Sequence, residues 1–501
     1  MIRYAIRALI LLCMAAGARG EAPVAAASHE APGIAWFQGD VADAFKLAQA
    51  QKKPVFLYWG AKWCPPCQQL KATVFSRQDF IAKSREFVDV YLDGDAAGSQ
   101  KWGDKFGTSG YPTVVILRPD QKEITRISGG MDLSLYAGLL EDALNDLRPM
   151  DEIIAAMRVG RVESSGDCRR LAYYGWDLRD FSDAERKSLA HGLARTVTPC
   201  GGTRALEGAR LAIASAVFEP APSVVTQVIA IVENPAIAAR AADSLENLGS
   251  PFYKAVYARG PKVREAFMRA WSDTMAGVAG DPAVTDADQL AALGTRLALL
   301  KEFAADKKVP ADIAAAARTR TSATLAKRFD PYVRAGVVNA ASYVYEQLGD
   351  SDAQYALVSG ELTTSHTPYY YMIDLGEIEE SRHHTAQALA WYERAYRESE
   401  GIATRFQWGA QYVSALLRLA PHDHVRIRDA GMAVIGELDG PDRIQARTRY
   451  GLGKLDTKLK KWNSAHKYNA DIRALRARMN ATCAKLPPAD GGRESCRKFL
   501  S

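Results

Sequence analysis

YWGAKWCPPCQQLK, Tyr58 to Lys71, places two cysteines three positions apart with two prolines between them. Such a pair can exchange disulfides, supply half of a metal site, or staple a loop. Its surroundings separate these uses. Just upstream, Pro54 to Trp59 (PVFLYW) is a short, continuously apolar run, as expected of a strand buried on both faces. Pro65 and Pro66 suit the first turn of a helix, where a missing N–H costs nothing. Cys64 then sits at the helix's N-terminal edge, where free N–H groups and the positive end of the dipole stabilise a sulfur anion. The anion matters because the thiolate, not the thiol, is the nucleophile. Cys67 lies one turn deeper, within reach of Cys64 to resolve a mixed disulfide. A zinc site would need two further ligands at suitable spacing. His29 falls in an N-terminal leader and the next cysteine is Cys168, so no metal is expected, and no cofactor.

The elements around this stretch alternate. Val41 to Ala50 has apolar residues at helical spacing, with Asp40 as its cap. Ser76-x-x-Asp79 has the form of a second capped helical start. Phe87 to Leu92 (FVDVYL) reads as a strand, and Thr113 to Leu117 (TVVIL) as another after a Gly-Tyr-Pro turn. Glu123 to Ile127 is a further short strand, followed by a helix from Asp132 to about Leu147. This order implies a mixed sheet covered by helices on both faces.

Residues 33–148 resemble a thioredoxin-fold domain. The resemblance rests on Trp63-Cys64-Pro65-Pro66-Cys67 after a buried strand and on Gly110-Tyr111-Pro112-Thr113 before the next. The entry from Ala35 to Cys64 is similar to the exported branch related to the C-terminal module of transmembrane disulfide reductases. The resemblance implies Cys64 as the exposed attacking nucleophile and Cys67 as the resolving thiol. It further implies a cis bond before Pro112, a Tyr111 backbone that pairs with a substrate strand, and a Trp63 that shields the disulfide and meets partners. Pro65 and Pro66 stiffen the turn and remove two backbone donors, which affects redox potential. The chain departs from the family in two places. Tyr58 stands six residues before the first cysteine, where many thioredoxins carry a buried carboxylate, and Asp89 lies nearest the position of an accompanying lysine. Gly94 to Trp102 (GDAAGSQKW) is a few residues longer than the thioredoxin pattern.

The chain has 501 residues, too many for one ordinary domain. Its net charge of +6 is diluted over that length and gives no case for nucleic acid. Residues 1–20, with Arg3 and Arg7, an apolar run from Ala8 to Ala16, and Ala18-x-Gly20, have the form of a cleaved signal peptide. Residues 21–32 follow as a flexible leader. The expectation is an exported, periplasmic protein. Cleavage removes Cys13 and leaves six cysteines. Sequence order suggests Cys64–Cys67, Cys168–Cys200 and Cys483–Cys496, the last two structural, although six cysteines allow many connectivities.

From about Pro149 the texture is all-α: residues 149–330 are Ala-rich with helical spacing, and residues 331–501 contain an internal repeat. Asn339 to Leu362 and Tyr371 to Tyr396 align with Ala353 over Ala388, resembling tetratricopeptide (TPR) helix pairs; a non-repeating bundle is the alternative. Gln407 to Pro421 with Val425 to Leu438 forms a less regular third pair. His383-His384 and His422-Asp423-His424 do not read as metal sites, because adjacent histidines on a helix point apart. Tyr369-Tyr370-Tyr371 read as core aromatics.

The fold expected is thus an α/β thioredoxin fold followed by an all-α, TPR-like region. The function expected is thiol–disulfide oxidoreduction by Cys64 and Cys67, in the reductase or isomerase direction. Its partners would be client protein disulfides and an electron donor or acceptor protein, met through the helical region. The alternative is a helical scaffold on which the thioredoxin fold serves mainly for docking.

Overall fold

A computed structural model describes residues 33–501 apart from Ala97, Ser109, 129–132, Glu163, Asp180, Thr203, Ala305 and Ala489. The signal peptide and leader expected from the sequence, with Cys13, lie outside the described residues.

The sequence order becomes α1 (Val41–Gln51), β1 (Val55–Gly60), α2 (Pro65–Leu70), α3 (Gln78–Ser84), β2 (Val88–Asp93), α4 (Ser99–Lys105), β3 (Thr113–Leu117), β4 (Glu123–Ser128) and α5 (Leu133–Asn145). A π-helical turn, Lys71–Phe75, extends α2. The Asp40 side chain caps α1, accepting from the Ala42 N–H at 2.8 Å. Ser76 does not cap α3: its hydroxyl donates back to the Ala72 carbonyl at 2.6 Å, and Arg77 takes the N-cap position without a side-chain bond.

The four strands lie in the order β2-β1-β3-β4, with β1 parallel to β2 and the other pairs antiparallel. Alternation along β1 feeds two cores. Val55, Leu57 and Trp59 face Phe45 of α1 and Trp102 of α4, whereas Phe56 and Tyr58 join Leu70, Phe75, Phe80, Tyr136 and Leu140. Every residue of β1 is buried, which is why its sequence reads as an unbroken apolar run. Helix α4 is the helix that the alternating order of elements places between β2 and β3. It begins in the longer segment after β2, and its Trp102 stacks at 5.8 Å on Phe106, just beyond its end, over that first core.

From Met150 every regular element is helical among the described residues. Helix Asp183–Gly201 crosses helix Ala205–Phe218 where two glycines meet: a Cβ on Gly208 would lie 2.8 Å from the Gly201 Cα. Backbone cannot swing aside as a side chain can. Gly208→Val is therefore expected to cost about 1–3 kcal/mol through overpacking, read as a lowered thermal midpoint.

Toward the C-terminus, helices come in packed pairs: Pro331–Leu348 with Ser351–Gly360, Pro368–Ser381 with Thr385–Glu398, Ile402–Leu419 with His424–Gly436, and Ala446–His466 with Asn469–Lys485. The aligned alanines are not equivalent, since Ala388 is fully buried and Ala353 only half-buried. Disulfides join Cys168 to Cys200 and Cys483 to Cys496. The first ties helix Ser165–Ala172 to helix Asp183–Gly201, and the second closes the Pro487–Pro488 loop.

Candidate redox site

Cys64 is the N-cap of α2, with Pro65 and Pro66 in the first turn. Its Sγ accepts from the Cys67 N–H at 3.2 Å, and the two cysteines are joined as a disulfide. The cap position aims a helix-end donor at the sulfur, the arrangement that stabilises a thiolate once the bond is reduced.

The Gly110–Thr113 turn comes alongside. The Tyr111–Pro112 peptide bond is cis, and the Thr113 hydroxyl braces the turn by donating to the Gly110 carbonyl at 2.8 Å. Tyr111 meets Trp63 edge-on at 5.9 Å and is held from α4 by Gln100, whose amide reaches its hydroxyl at 3.2 Å. Cys64, Cys67, Trp63, Pro65, Pro66, Tyr111 and Pro112 thus converge at one end of the sheet. The structural cysteines Cys168, Cys200, Cys483 and Cys496 belong to the helical region.

Behind Cys67 the family's carboxylate position is filled by a phenol. Tyr58 is fully buried, packs edge-on to Phe75 at 4.9 Å, and stacks on Tyr91 at 5.3 Å. Strand register pairs Tyr58 with Tyr91 and moves Asp89 opposite Phe56, so Tyr91 rather than Asp89 is the neighbour on the next strand. Burial raises both phenol pKa values, so neither ring ionises readily. The Lys71 ammonium lies 5.0 Å over the Tyr91 ring. The carboxylates at this end are Asp93 and Asp95, both held above the usual carboxylate range, chiefly by burial.

One expectation is corrected. Cys64 is not exposed: it is only 3% accessible, and Trp63 and Pro65 are buried beside it. Trp63, the residue before Cys64, is covered by the helical region. Trp63 stacks on Tyr370 at 6.1 Å and packs against Trp408 at 5.4 Å. Its indole N–H donates to the Thr404 hydroxyl at 2.6 Å and to Asp95 at 3.1 Å. The Arg447 guanidinium lies 4.4 Å over Tyr111 and 5.7 Å over Trp63. Tyr370 is therefore an interdomain contact rather than a core aromatic alone.

Sequence reasoning missed Asp95, Tyr370, Thr404, Trp408 and Arg447. Two signals pointed toward them. Asp95 lies in the segment longer than the family pattern, and helix Ile402–Leu419 begins after a glycine instead of an Asp, Ser or Thr cap.

His384 pairs with Glu379 at 2.6 Å and His424 with Asp471 at 2.9 Å. Among the described residues no group of three or more His, Cys, Asp or Glu side chains is placed to hold a metal ion. Among them, too, no helix is long and apolar enough to cross a membrane. In comparison with known proteins, residues 41–144 match the family model described as a thioredoxin-like domain. No curated protein matches the chain.

Proposed function

We propose that this chain, whose residues 41–144 form a thioredoxin-like domain, exchanges disulfides with protein partners through Cys64 and Cys67, working as a reductase or isomerase in the periplasm. The observation that carries the reading is the Cys64–Cys67 disulfide capping α2 beside the cis Tyr111–Pro112 turn. Pairing of all six cysteines among the described residues supports an oxidising compartment.

In the reducing direction the Cys64 thiolate attacks one sulfur of a partner disulfide. The other partner sulfur leaves as a thiolate and takes a proton. Cys67, giving up its own proton, then attacks Cys64 and releases the second partner sulfur. Two electrons pass from the dithiol to the partner, and Cys64–Cys67 is left oxidised. The reverse sequence oxidises the partner, so direction follows the potentials of the couples.

The test is equilibration of the full chain against dithiothreitol and against glutathione, read by differential alkylation of the Cys64–Cys67 peptide. A reversible two-electron transition is expected. Cys67→Ala should trap a mixed disulfide on Cys64, and Cys64→Ser should form none. A pair that resists reduction until the protein unfolds would reject the redox reading. It would leave the scaffold reading, which the buried Cys64 favours.

A further inference from the structure

The face through which a redox centre of this type must meet its partner is occupied by the chain's own helices, and the occupation is specific. Helix Ile402–Leu419 starts at Gly401, which has no side chain to satisfy the first free N–H groups. The missing cap comes from the other domain. Asp95 accepts from the Thr404 N–H at 2.9 Å through Oδ1, and from the Thr404 hydroxyl at 2.7 Å through Oδ2. The same carboxylate holds Trp63, the residue next to Cys64. Gly401 sits at φ +85°, and a Cβ there would fall 2.3 Å from the Asp95 side chain. The residue is thus fitted both to the left-handed backbone and to the close approach.

Two further contacts flank this point. Arg449 forms a bidentate pair with Asp104 of α4. Gln69 of α2 donates to Thr285 at 3.3 Å and to Asp288 at 3.1 Å.

We propose that the helical region is a lid latched over the redox centre by the Asp95 cap on helix Ile402–Leu419, and that protein disulfides reach Cys64 only when this latch opens. This rests on the thiol–disulfide reading given above. A disulfide sulfur must approach Cys64 Sγ closely to be attacked, and a folded client brings bulk that the Tyr370, Thr404, Trp408 and Arg447 cover excludes. A small dithiol needs far less clearance. The latch therefore separates protein from small-molecule substrates. It also makes the helical region the element on which an opening partner would act.

The experiment compares two rates in the full chain: insulin disulfide reduction driven by dithiothreitol, and exchange with glutathione disulfide. The variants are Thr404→Val, which keeps the side-chain shape but removes the hydroxyl, and Gly401→Val, which drives a side chain into Asp95. Thr404→Val leaves the Thr404 N–H bond to Asp95 in place and removes the hydroxyl's bonds to Asp95 and Trp63. Losing one side-chain hydrogen bond of the latch shifts a closed–open equilibrium about fivefold. Insulin reduction is thus expected to rise about fivefold in Thr404→Val and at least as much in Gly401→Val, with glutathione exchange changing much less. Near-ultraviolet circular dichroism checks folding. Should Gly401→Val fail to fold, Thr404→Val decides. Insulin reduction at the wild-type rate in a folded Thr404→Val overturns the latch, as does a wild type that already reduces insulin as readily as it exchanges with glutathione disulfide. Exchange with neither probe in wild type and variants alike would instead remove the redox reading, and the latch with it.

Discussion

Arg126→Met is expected to lower stability by about 3–5 kcal/mol, the effect of breaking a buried ion pair from one side. Arg126 lies on β4 and is 0% accessible at its side chain. All five guanidinium donors are used. Nε and Nη2 bridge the two Glu123 oxygens at 3.2 and 2.9 Å. Nη1 serves the carbonyls of Gly107 at 2.9 Å and Leu178 at 2.7 Å, and Nη2 also serves Phe106. Glu123 in turn accepts from the Tyr174 hydroxyl at 2.8 Å, and the Gly175 N–H donates to the Arg126 carbonyl at 2.9 Å. One side chain thereby joins the β4 edge to the loop after α4 and to the 3₁₀ turn Trp176–Leu178 of the helical region. Methionine fills the volume but leaves Glu123 and three carbonyls without their donor. Denaturant unfolding of wild type and variant measures the difference. The double variant Glu123→Gln/Arg126→Met is expected to recover part of the loss, because it removes the unpaired carboxylate. A single variant within about 1 kcal/mol of wild type would contradict this account.

The sheet was legible because its signals are local. PVFLYW admits no amphipathic helix, and two prolines after a cysteine fix a helix start. The cysteine pair and the Gly110–Thr113 turn were readable for the same reason, since each has its chemistry within a few residues. Asp95 and Thr404 were not. They are separated by most of the chain and bonded by side-chain and capping geometry, and the local oddity of each stretch does not name the other as its partner. The exposure expected of Cys64 failed on the same ground. A domain read by itself ends at solvent, whereas here its redox face ends at Trp408 and Tyr370. Ser76 failed for a smaller reason: the preceding turn is π-helical, so its hydroxyl finds the Ala72 carbonyl before it can cap forward. The exchange of Asp89 for Tyr91 beside Tyr58 is a matter of strand register, which an ungapped reading places two residues away.

That register also gives Asp89 its consequence for stability. The side chain is buried on β2 at 3% accessibility, and its Oδ1 finds no hydrogen-bond partner among the described residues. Burial pushes its pKa from 3.8 to about 7, against opposing pulls from a Ser84 hydrogen bond and the Lys53 ammonium. The folded state thus binds the proton more tightly than the unfolded chain does. Asp89's contribution to stability is accordingly full below pH 3.8 and is lost as pH rises through about 7. The total loss is on the order of 4 kcal/mol, falling by about 1.4 kcal/mol per pH unit in the middle of that window. Asn cannot ionise and keeps nearly the same shape. Unfolding of Asp89→Asn and wild type at pH 4, 6 and 8 is therefore expected to show a gap that widens in favour of the variant as pH rises. A gap that stays constant across that range would show that Asp89 keeps an ordinary pKa in the folded protein, and one that narrows would show a lowered pKa; either contradicts this account.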